Sequence, residues 1–385
     1  MNEEPIKTRL LFLDNIKVLF SILVIFQHAR VTYGGTGWWY YIESAPTDTI
    51  SIIFFILLSS IGGFFQASLM GLFFLMGGYF TPKSYDRKGV GAFWKERILR
   101  LGIPVFLYVA IVSPVMAYSL NAFGLYPHQL PQSLLGFLTF WGPMWFLVVL
   151  LLFTAGYTLW RQITKIDSVK KRIPKEFPIP KYIYLFLLAL GLGFITFLIR
   201  IYFSIDHRPF GLPIPFIIQY IMMFSLGVII VRYDWIKQMT RKHVKVWIIM
   251  ITFSFILFFA YAIPVLGFEG DYSVLMGGFN IHALLFVLVE NIICVGMIFV
   301  LLKVFYAKFN KQGKIMQNLS PSAFYIYLIH PPVLVLVSLA FISIDLIPFL
   351  KLAIVFPLTI ILCYLLSHYV LEKVRFNKKT RVDTD

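Results

Sequence analysis

Long apolar segments alternate with short polar ones along almost the whole chain. Runs of about 20 apolar residues, long enough for a helix to cross the ~30 Å hydrocarbon core of a bilayer, recur ten times. These predicted spans cover residues 10–32, 62–81, 99–119, 143–161, 182–203, 212–231, 244–266, 279–302, 321–341 and 348–371. The pattern predicts an all-α fold, a polytopic transmembrane helical bundle of about ten spans.

One apolar run does not fit a single ordinary crossing. The run from Ile50 to Phe80 is too long for one span and too short for two. Gly62-Gly63 offers a place for a break, which would leave Ile50–Ile61 as an interfacial or re-entrant piece. Such a break leaves the number of crossings unchanged.

The positions of the charged residues determine how the basic composition is interpreted. The 385 residues are 59% hydrophobic and 14% charged, and 34 Lys and Arg against 18 Asp and Glu give a net charge of +16. In a soluble protein this excess would indicate nucleic acid. Here most of the cations lie in alternate connections, on the same side as the N-terminus. This placement predicts cytoplasmic termini, contact with membrane lipid and no nucleic-acid partner.

No internal repeat is evident, so we expect residues 1–385 to form one integral-membrane domain without a soluble appendage. The two cysteines, Cys294 and Cys363, both fall inside predicted spans. They lack the spacing of a metal site or a disulfide framework and are interpreted as small packing residues. We therefore expect no metal and no bound cofactor.

The first span carries three titratable side chains close to one face of its helix. Lys17 and His28 are eleven residues apart and so differ by only about 20° around a helix, while Asp14 lies within about 40° of His28. A charged group in the bilayer core costs at least ~2.5–3.5 kcal/mol unless it faces protein or water. The stripe indicates a functional site. The structural alternative is an interfacial Lys–Asp pair plus a buried histidine.

Two later spans also carry polar groups at membrane depth. Glu290 either pairs with a nearby cation or sets the charge of a catalytic histidine. Pro331-Pro332 remove two backbone donors and predict a break or kink directly after His330. Irregular backbone at this depth lines an interior, so Tyr327 and His330 are expected to face one. For His330, a structural or acceptor-binding role is favoured over direct catalysis.

Four residues near span ends are candidates for ligand contact. Arg97 and Arg100 are neighbours on one helix face and suit phosphate, although ordinary positive-inside anchoring also explains them. Arg200 is placed either to bind an anionic or hydroxyl-rich substrate or to extend to the lipid head groups. Trp145 opens the fourth span, where tryptophan is a common interface anchor.

Five segments in order resemble the bacterial integral-membrane acyltransferases of type 3, particularly the glucan-modifying branch. The segments are Leu13–Lys17 with His28-Ala29, Phe73–Phe80, Arg97–Pro104, Trp145-Phe146 and Tyr325–Pro332. Lys17 stands where the family usually has arginine, which keeps the charge without the bidentate fork. Gly77 stands where the family usually has serine, so a hydroxyl role is absent there.

The resemblance implies transfer of an acetyl or succinyl group from cytoplasmic acyl-coenzyme A, a cosubstrate, to a hydroxyl of an extracytoplasmic glycan or glycolipid. The location would be the bacterial cytoplasmic membrane. Lys17, Arg97 and Arg100 would hold the coenzyme A phosphates. His28 would act as general base or carry the acyl group, with Glu290 orienting its ring. The candidate substrate-binding residues are Trp145, Arg200, Tyr327 and His330.

Some members of the family carry a fused domain that completes the transfer. This chain is therefore expected either to complete the transfer itself or to pass the acyl group to a separate acyl-handling or polysaccharide-synthesis partner.

A transporter or flippase for polysaccharide or lipid-linked glycan is the main alternative, since it would also bury Lys, Glu and His. The lack of an inverted repeat and the concentration of charge in the first span favour the transferase. A purely structural partner of a polysaccharide synthase is the third hypothesis, and it predicts that His28 is replaceable.

Overall fold

The computed structural model describes residues 10–35, 37–43, 49–166, 174–266 and 272–382, and within these ranges the regular structure is all helical. The helices are α1 (Leu11–Thr32), α2 (Thr49–Arg97), α3 (Ile103–Leu107), α4 (Ser113–Ala122), α5 (Leu134–Leu138), α6 (Trp145–Ile163), α7 (Tyr182–Tyr202), α8 (Ile217–Arg232), α9 (Trp235–Gln238), α10 (Arg241–Leu266), α11 (Ile281–Lys308), α12 (Lys314–Ala340) and α13 (Pro348–Val382). Two π-helical turns, Ile98–Gly102 and Tyr108–Val112, join α2 to α4 through α3. The predicted all-α fold is confirmed.

The described part of the chain contains nine helical segments long and apolar enough to cross a membrane. Eight of them match predicted spans one for one. The ninth, Ser60–Ala122, is 63 residues long and contains both 62–81 and 99–119. At 1.5 Å per residue this segment would extend about 95 Å, three times the bilayer core. Nine segments therefore hold the ten predicted spans, and the cytoplasmic placement of the termini stays a prediction.

The predicted break at Gly62-Gly63 is wrong, because α2 continues through both residues. Its regular backbone is interrupted instead at Gly89, with φ 70° and ψ 171°. Gly62 serves another purpose: a Cβ there would overlap Nε of Arg30, which lies against the helix surface. Gln27 Nε2 also donates to the Gly62 carbonyl at 2.6 Å. The glycine thus admits a buried polar contact from α1.

The predicted interruption at Pro331-Pro332 does not break the helix. Helix α12 runs continuously from Lys314 to Ala340 with both prolines inside it. Transmembrane helices tolerate proline where other groups bond the carbonyls that it frees. One such group is the ring of His330, whose Nδ1 lies 2.6 Å from the Tyr327 carbonyl.

Helices α2 and α8 approach each other closely through small residues. A Cβ on Gly78 would overlap the Phe224 carbonyl oxygen, and a Cβ on Gly227 would overlap the Leu75 carbonyl oxygen. The contact is reciprocal, with a glycine from each helix against the backbone of the other. Small residues at helix crossings allow this approach in membrane proteins.

Helices α1 and α12 lie side by side in the same direction. Near the start of α1, Asn15 Nδ2 donates to the Phe309 carbonyl at 2.7 Å and to the Lys311 carbonyl at 3.0 Å, both in the connection that leads into α12. Two turns further, Ser21 Oγ donates to the Ala323 carbonyl at 3.1 Å. Residue numbers increase in the same direction along both contact partners, so the helices are parallel. The Ser21–Ala323 bond defines their register.

The glycine crossing is testable by substitution. Changing Gly78 to Val places a side chain against the Phe224 backbone, which cannot move as a side chain can. We expect a loss of at least about 1–3 kcal/mol of stability, the usual cost of overpacking. The measurement is the thermal unfolding of the purified full-length protein in detergent.

Gly156→Val is the matched control, because a Cβ at Gly156 meets no atom within 4 Å. It should unfold close to the wild-type temperature. Equal unfolding temperatures for the two variants would contradict the close crossing.

Candidate active site

Two histidines from α1 and α12 meet inside the bundle. His28 lies seven residues after Ser21, and His330 lies seven residues after Ala323. Seven residues are two helical turns, about 10 Å along the axis and within about 20° of the same face. The register that joins Ser21 to Ala323 therefore brings the two imidazoles together, with ring centroids 5.3 Å apart. His330 is fully buried, whereas His28 is partly exposed.

A tryptophan completes this cluster, and the three rings are nearly parallel. Trp39 stacks on His28 with centroids 4.0 Å apart and planes 19° apart. The Trp39 and His330 centroids are 6.1 Å apart. This separation is much shorter than the distance expected if Trp39 and His330 lay on opposite faces of His28. His330 therefore lies beside His28, edge to edge, and Trp39 covers a face of His28.

The segment that carries Trp39 is anchored by polar contacts on both sides. His128 Nε2 donates to the Trp39 carbonyl at 2.9 Å, and its ring stacks on Trp38 at 5.3 Å. The Tyr40 hydroxyl shares a 2.5 Å hydrogen bond with Ser113. Burial raises the pKa of Tyr40 to about 12 and lowers the pKa of His128. Both groups are consequently neutral at pH 7 and hold the Trp39 backbone by hydrogen bonds alone.

A basic cavity of about 560 Å³ lies on the N-terminal side of the histidines along α1 and α12. Its polar lining contains six cations, namely Lys17, Lys83, Arg87, Lys88, Arg97 and Arg100. Only two carboxylates, Asp14 and Glu96, share the lining. The cavity therefore carries a strong positive charge and suits a polyanionic ligand.

Both carboxylates of the basic cavity are engaged. Asp14 pairs with Lys17 at 2.9 Å, and Glu96 pairs with Lys88. Arg97 is held by Thr81, whose hydroxyl oxygen lies 3.1 Å from Nη2. Within the described part of the chain, Arg97 and Arg100 have no carboxylate partner. Their guanidinium groups remain available to a phosphate.

The deep end of the basic cavity is aromatic. Phe73, Phe146 and Tyr327 line it, with centroids 5.5–6.2 Å apart. The Tyr327 ring is also 5.8 Å from the His330 ring, and its hydroxyl donates to the Pro143 carbonyl at 2.5 Å. Tyr327 thus separates the cavity from the histidines by one helical turn.

Glu290 is paired with Arg200 and has no contact with His28. The Arg200 Nη2 and Glu290 Oε2 atoms are 2.8 Å apart, and both side chains are buried. Arg200 also donates from Nε to the Pro215 carbonyl at 3.3 Å. Of the two roles considered for Glu290, pairing with a cation is the one that the geometry displays. The structure does not bring Glu290 to the His28 ring, nor does it leave Arg200 exposed to a substrate.

Trp145 belongs to a second aromatic cluster. Its ring stacks on Tyr220 at 5.7 Å, and Tyr220 stacks on Phe216 at 5.9 Å. The Arg200 guanidinium lies 4.5 Å above the Phe216 ring. Trp145 and Arg200 therefore share one cluster, while Tyr327 and His330 belong to the cavity and the histidine pair.

Several residues of the site were not indicated by the sequence pattern. Trp39 lies in the connection after the first span. Lys83, Arg87 and Lys88 line the basic cavity, although their positions in the sequence indicate only the topology. The signal for Trp39 was the aromatic run Trp38–Tyr41 directly after the span that carries His28. Within the described residues, no group of three or more His, Cys, Asp or Glu side chains forms a metal site.

The apolar helices define a multi-pass membrane protein. The model of the type 3 acyltransferase domain matches residues 10–368, and the chain belongs to this acyltransferase family. The chain is 27% identical over 113 residues to "Glucans biosynthesis protein C" of Escherichia coli K12, which is 29% of this chain and 27% of that protein. The protein of the same description from Salmonella typhi is 28% identical over 102 residues, 26% of this chain and 24% of the relative. The matched segments span about a quarter of these relatives. A comparison with solved structures found no significant match.

The Arg200–Glu290 pair predicts a specific stability pattern. Arg200→Met leaves the Glu290 carboxylate buried and uncompensated, which typically costs about 3–5 kcal/mol. The double variant Arg200→Met/Glu290→Gln removes the charge as well and should recover much of the loss. Thermal unfolding of both proteins in detergent measures the difference. A double variant no more stable than Arg200→Met would contradict the pairing.

Proposed function

We propose that this acyltransferase moves an acetyl or succinyl group from acyl-coenzyme A to a hydroxyl of a glycan or glycolipid across the bacterial cytoplasmic membrane. The observation that carries the proposal is the alignment of the basic cavity with the histidine pair. The deep end of the basic cavity is one helical turn from His330, and His28 lies beside the His330 ring. A polyanion bound along the cavity therefore ends close to both histidines. A donor with phosphates at one end and a thioester at the other matches this arrangement.

The cations of the basic cavity bind the phosphates of the donor. Arg97 and Arg100 offer bidentate, charge-assisted hydrogen bonds, and Lys17, Lys83 and Arg87 add positive charge. The pantetheine arm extends along the cavity past Phe73, Phe146 and Tyr327. Lys17 and His28 are about 16 Å apart along α1, a distance that such an arm can bridge.

His28 handles the acyl group at the end of this path. Its imidazole accepts the hydroxyl proton as the oxygen attacks the thioester, or takes the acyl group as a transient acyl-imidazole. Trp39 holds the ring plane by stacking.

The glycan acceptor rests on the similarity to proteins described as glucan biosynthesis proteins. A chain that completes the transfer needs no further partner. A chain that hands on the acyl group needs a separate acyl-handling or polysaccharide-synthesis protein. Export alone needs no thioester, so dependence on acyl-coenzyme A separates the transferase from a flippase.

The central test uses inside-out membrane vesicles with labelled acetyl-coenzyme A, and with succinyl-coenzyme A in a parallel series. Label should enter lipid-linked or polymeric glycan with the wild type and be lost with His28→Ala at matched expression. His282→Ala is the control, because His282 bonds Tyr261 outside the site. Equal incorporation by the wild type and His28→Ala would reject the role of His28. No transfer from either donor, with glycan still exported, would favour the flippase.

The donor site makes a separate kinetic prediction. Arg100→Glu replaces a phosphate-binding cation by an anion and should raise KM for acyl-coenzyme A about tenfold or more, given about 1.5–3 kcal/mol for a charged hydrogen bond. Arg241→Glu, an exposed position outside the cavity, should leave KM unchanged. Initial rates against donor concentration give both values. The same KM shift in both variants would indicate a general surface-charge effect.

A further inference from the structure

The carbonyl of Tyr327 has lost its ordinary helical partner. In an α-helix each N–H donates to the carbonyl four residues earlier. The donor for Tyr327 would be the N–H of residue 331, which is proline and has none. Helix α12 continues regardless, and Nδ1 of His330 lies 2.6 Å from that carbonyl oxygen. A side chain within the same turn has replaced the missing amide.

This contact determines which nitrogen of His330 carries the proton. A carbonyl oxygen only accepts hydrogen bonds, so Nδ1 must be the donor. In a neutral imidazole the other nitrogen then holds a lone pair. Nε2 of His330 is buried and has no hydrogen-bond partner among the described residues. The helix thus presents a fixed, unpaired proton acceptor inside the bundle.

The acceptor lies in the site and not in an unrelated part of the core. The His330 ring is beside the His28 ring, edge to edge, with 5.3 Å between centroids. On the face of His28, Trp39 is fully buried, and its indole Nε1 also lacks a partner in the described structure. A donor and an acceptor therefore stand unsatisfied on the two rings that flank His28. Buried polar atoms are rarely left unpaired, and a catalytic role is one of the recognised reasons.

We propose that His330, held in one tautomer by the carbonyl that Pro331 frees, is the general base for the acceptor hydroxyl. This inference rests on the proposed function and chooses between its two roles for His28: His330 is the base, and His28 carries the acyl group. The hydroxyl proton passes to Nε2 of His330 as the oxygen bonds to the acyl carbon. The bond from that carbon to its leaving atom then breaks. The leaving atom is the acylated nitrogen of His28, which took the acyl group from coenzyme A while the departing thiolate took the N–H proton of the His28 ring. That nitrogen takes the proton from Nε2, and His330 returns to its neutral form.

Adjacent prolines supply a matched pair of variants for the tautomer. Pro331→Ala restores an N–H aimed at the Tyr327 carbonyl, where it competes with Nδ1 of His330. Pro332→Ala restores the N–H for Leu328, whose carbonyl takes no part in the contact with His330. Both changes replace a helix-interior proline by the best helix former, so neither is expected to prevent folding.

The first readout is independent of activity. Ring ¹⁵N NMR of the purified full-length protein, with His330→Asn used to assign the signal, should show the Nδ1–H tautomer for His330. Pro331→Ala should shift this signal toward the Nε2–H form, and Pro332→Ala should leave it unchanged. An Nε2–H signal in the wild type, or the same signal in both proline variants, would overturn the tautomer assignment.

The second readout is kinetic. His330→Asn keeps an amide donor near the Tyr327 carbonyl but removes the base, and should lower kcat by about 10²–10⁴ with little change in KM for acyl-coenzyme A. Pro331→Ala should lower kcat about 10- to 100-fold, as loss of an orienting group does, and Pro332→Ala should stay near wild type. Unchanged kcat in His330→Asn would overturn the base assignment. The predicted NMR pattern without any acyl transfer by the wild type would reject the proposed function while the tautomer assignment stands.

Discussion

The parallel register of α1 and α12 is the constraint on which the site depends. Ser21 bonds to the Ala323 carbonyl, and seven residues later on each helix the two histidines meet. A shift of one residue would rotate His28 by about 100° relative to His330 and separate the rings. The same two helices contribute Lys17 and Tyr327 to the basic cavity. One helix pair therefore aligns the basic cavity, its aromatic end and the imidazoles along a single path.

Charge is balanced differently in the basic cavity and around Arg200. In the basic cavity, cations exceed carboxylates, and the protein does not supply the balancing negative charge. Around Arg200 the protein supplies it, through Glu290, and the pair is closed to solvent. Inside a bilayer both arrangements satisfy the same requirement, that a buried charge face a partner or water. Only the first leaves the partner to come from outside.

Proline and glycine shape this structure because each lacks a group that other residues have. Pro331 removes an amide donor, and the freed Tyr327 carbonyl becomes available to a histidine. Gly62 removes a side chain, and Arg30 and Gln27 of α1 reach the surface of α2. Gly78 and Gly227 do the same for a whole helix crossing. In lipid, where hydrophobic burial does not distinguish one helix contact from another, such local absences determine which surfaces come close.

The sequence by itself determined the helical class, the position of each span, the cationic segments and the likeness to the acyltransferase family. The reason is that the length of apolar segments and the order of motifs are properties of the linear sequence. The polar stripe of Lys17 and His28 was also visible from helical spacing. Only the tertiary structure decided the partner of Glu290, the neighbour of His28 and the place of Trp39. Those depend on contacts between residues up to 302 positions apart, such as Ser21 with Ala323, and no local pattern encodes them. The tertiary structure also decided that α2 continues through Gly62 and α12 through Pro331. Neighbouring helices and side chains supply hydrogen bonds to backbone groups that the local sequence leaves without a partner.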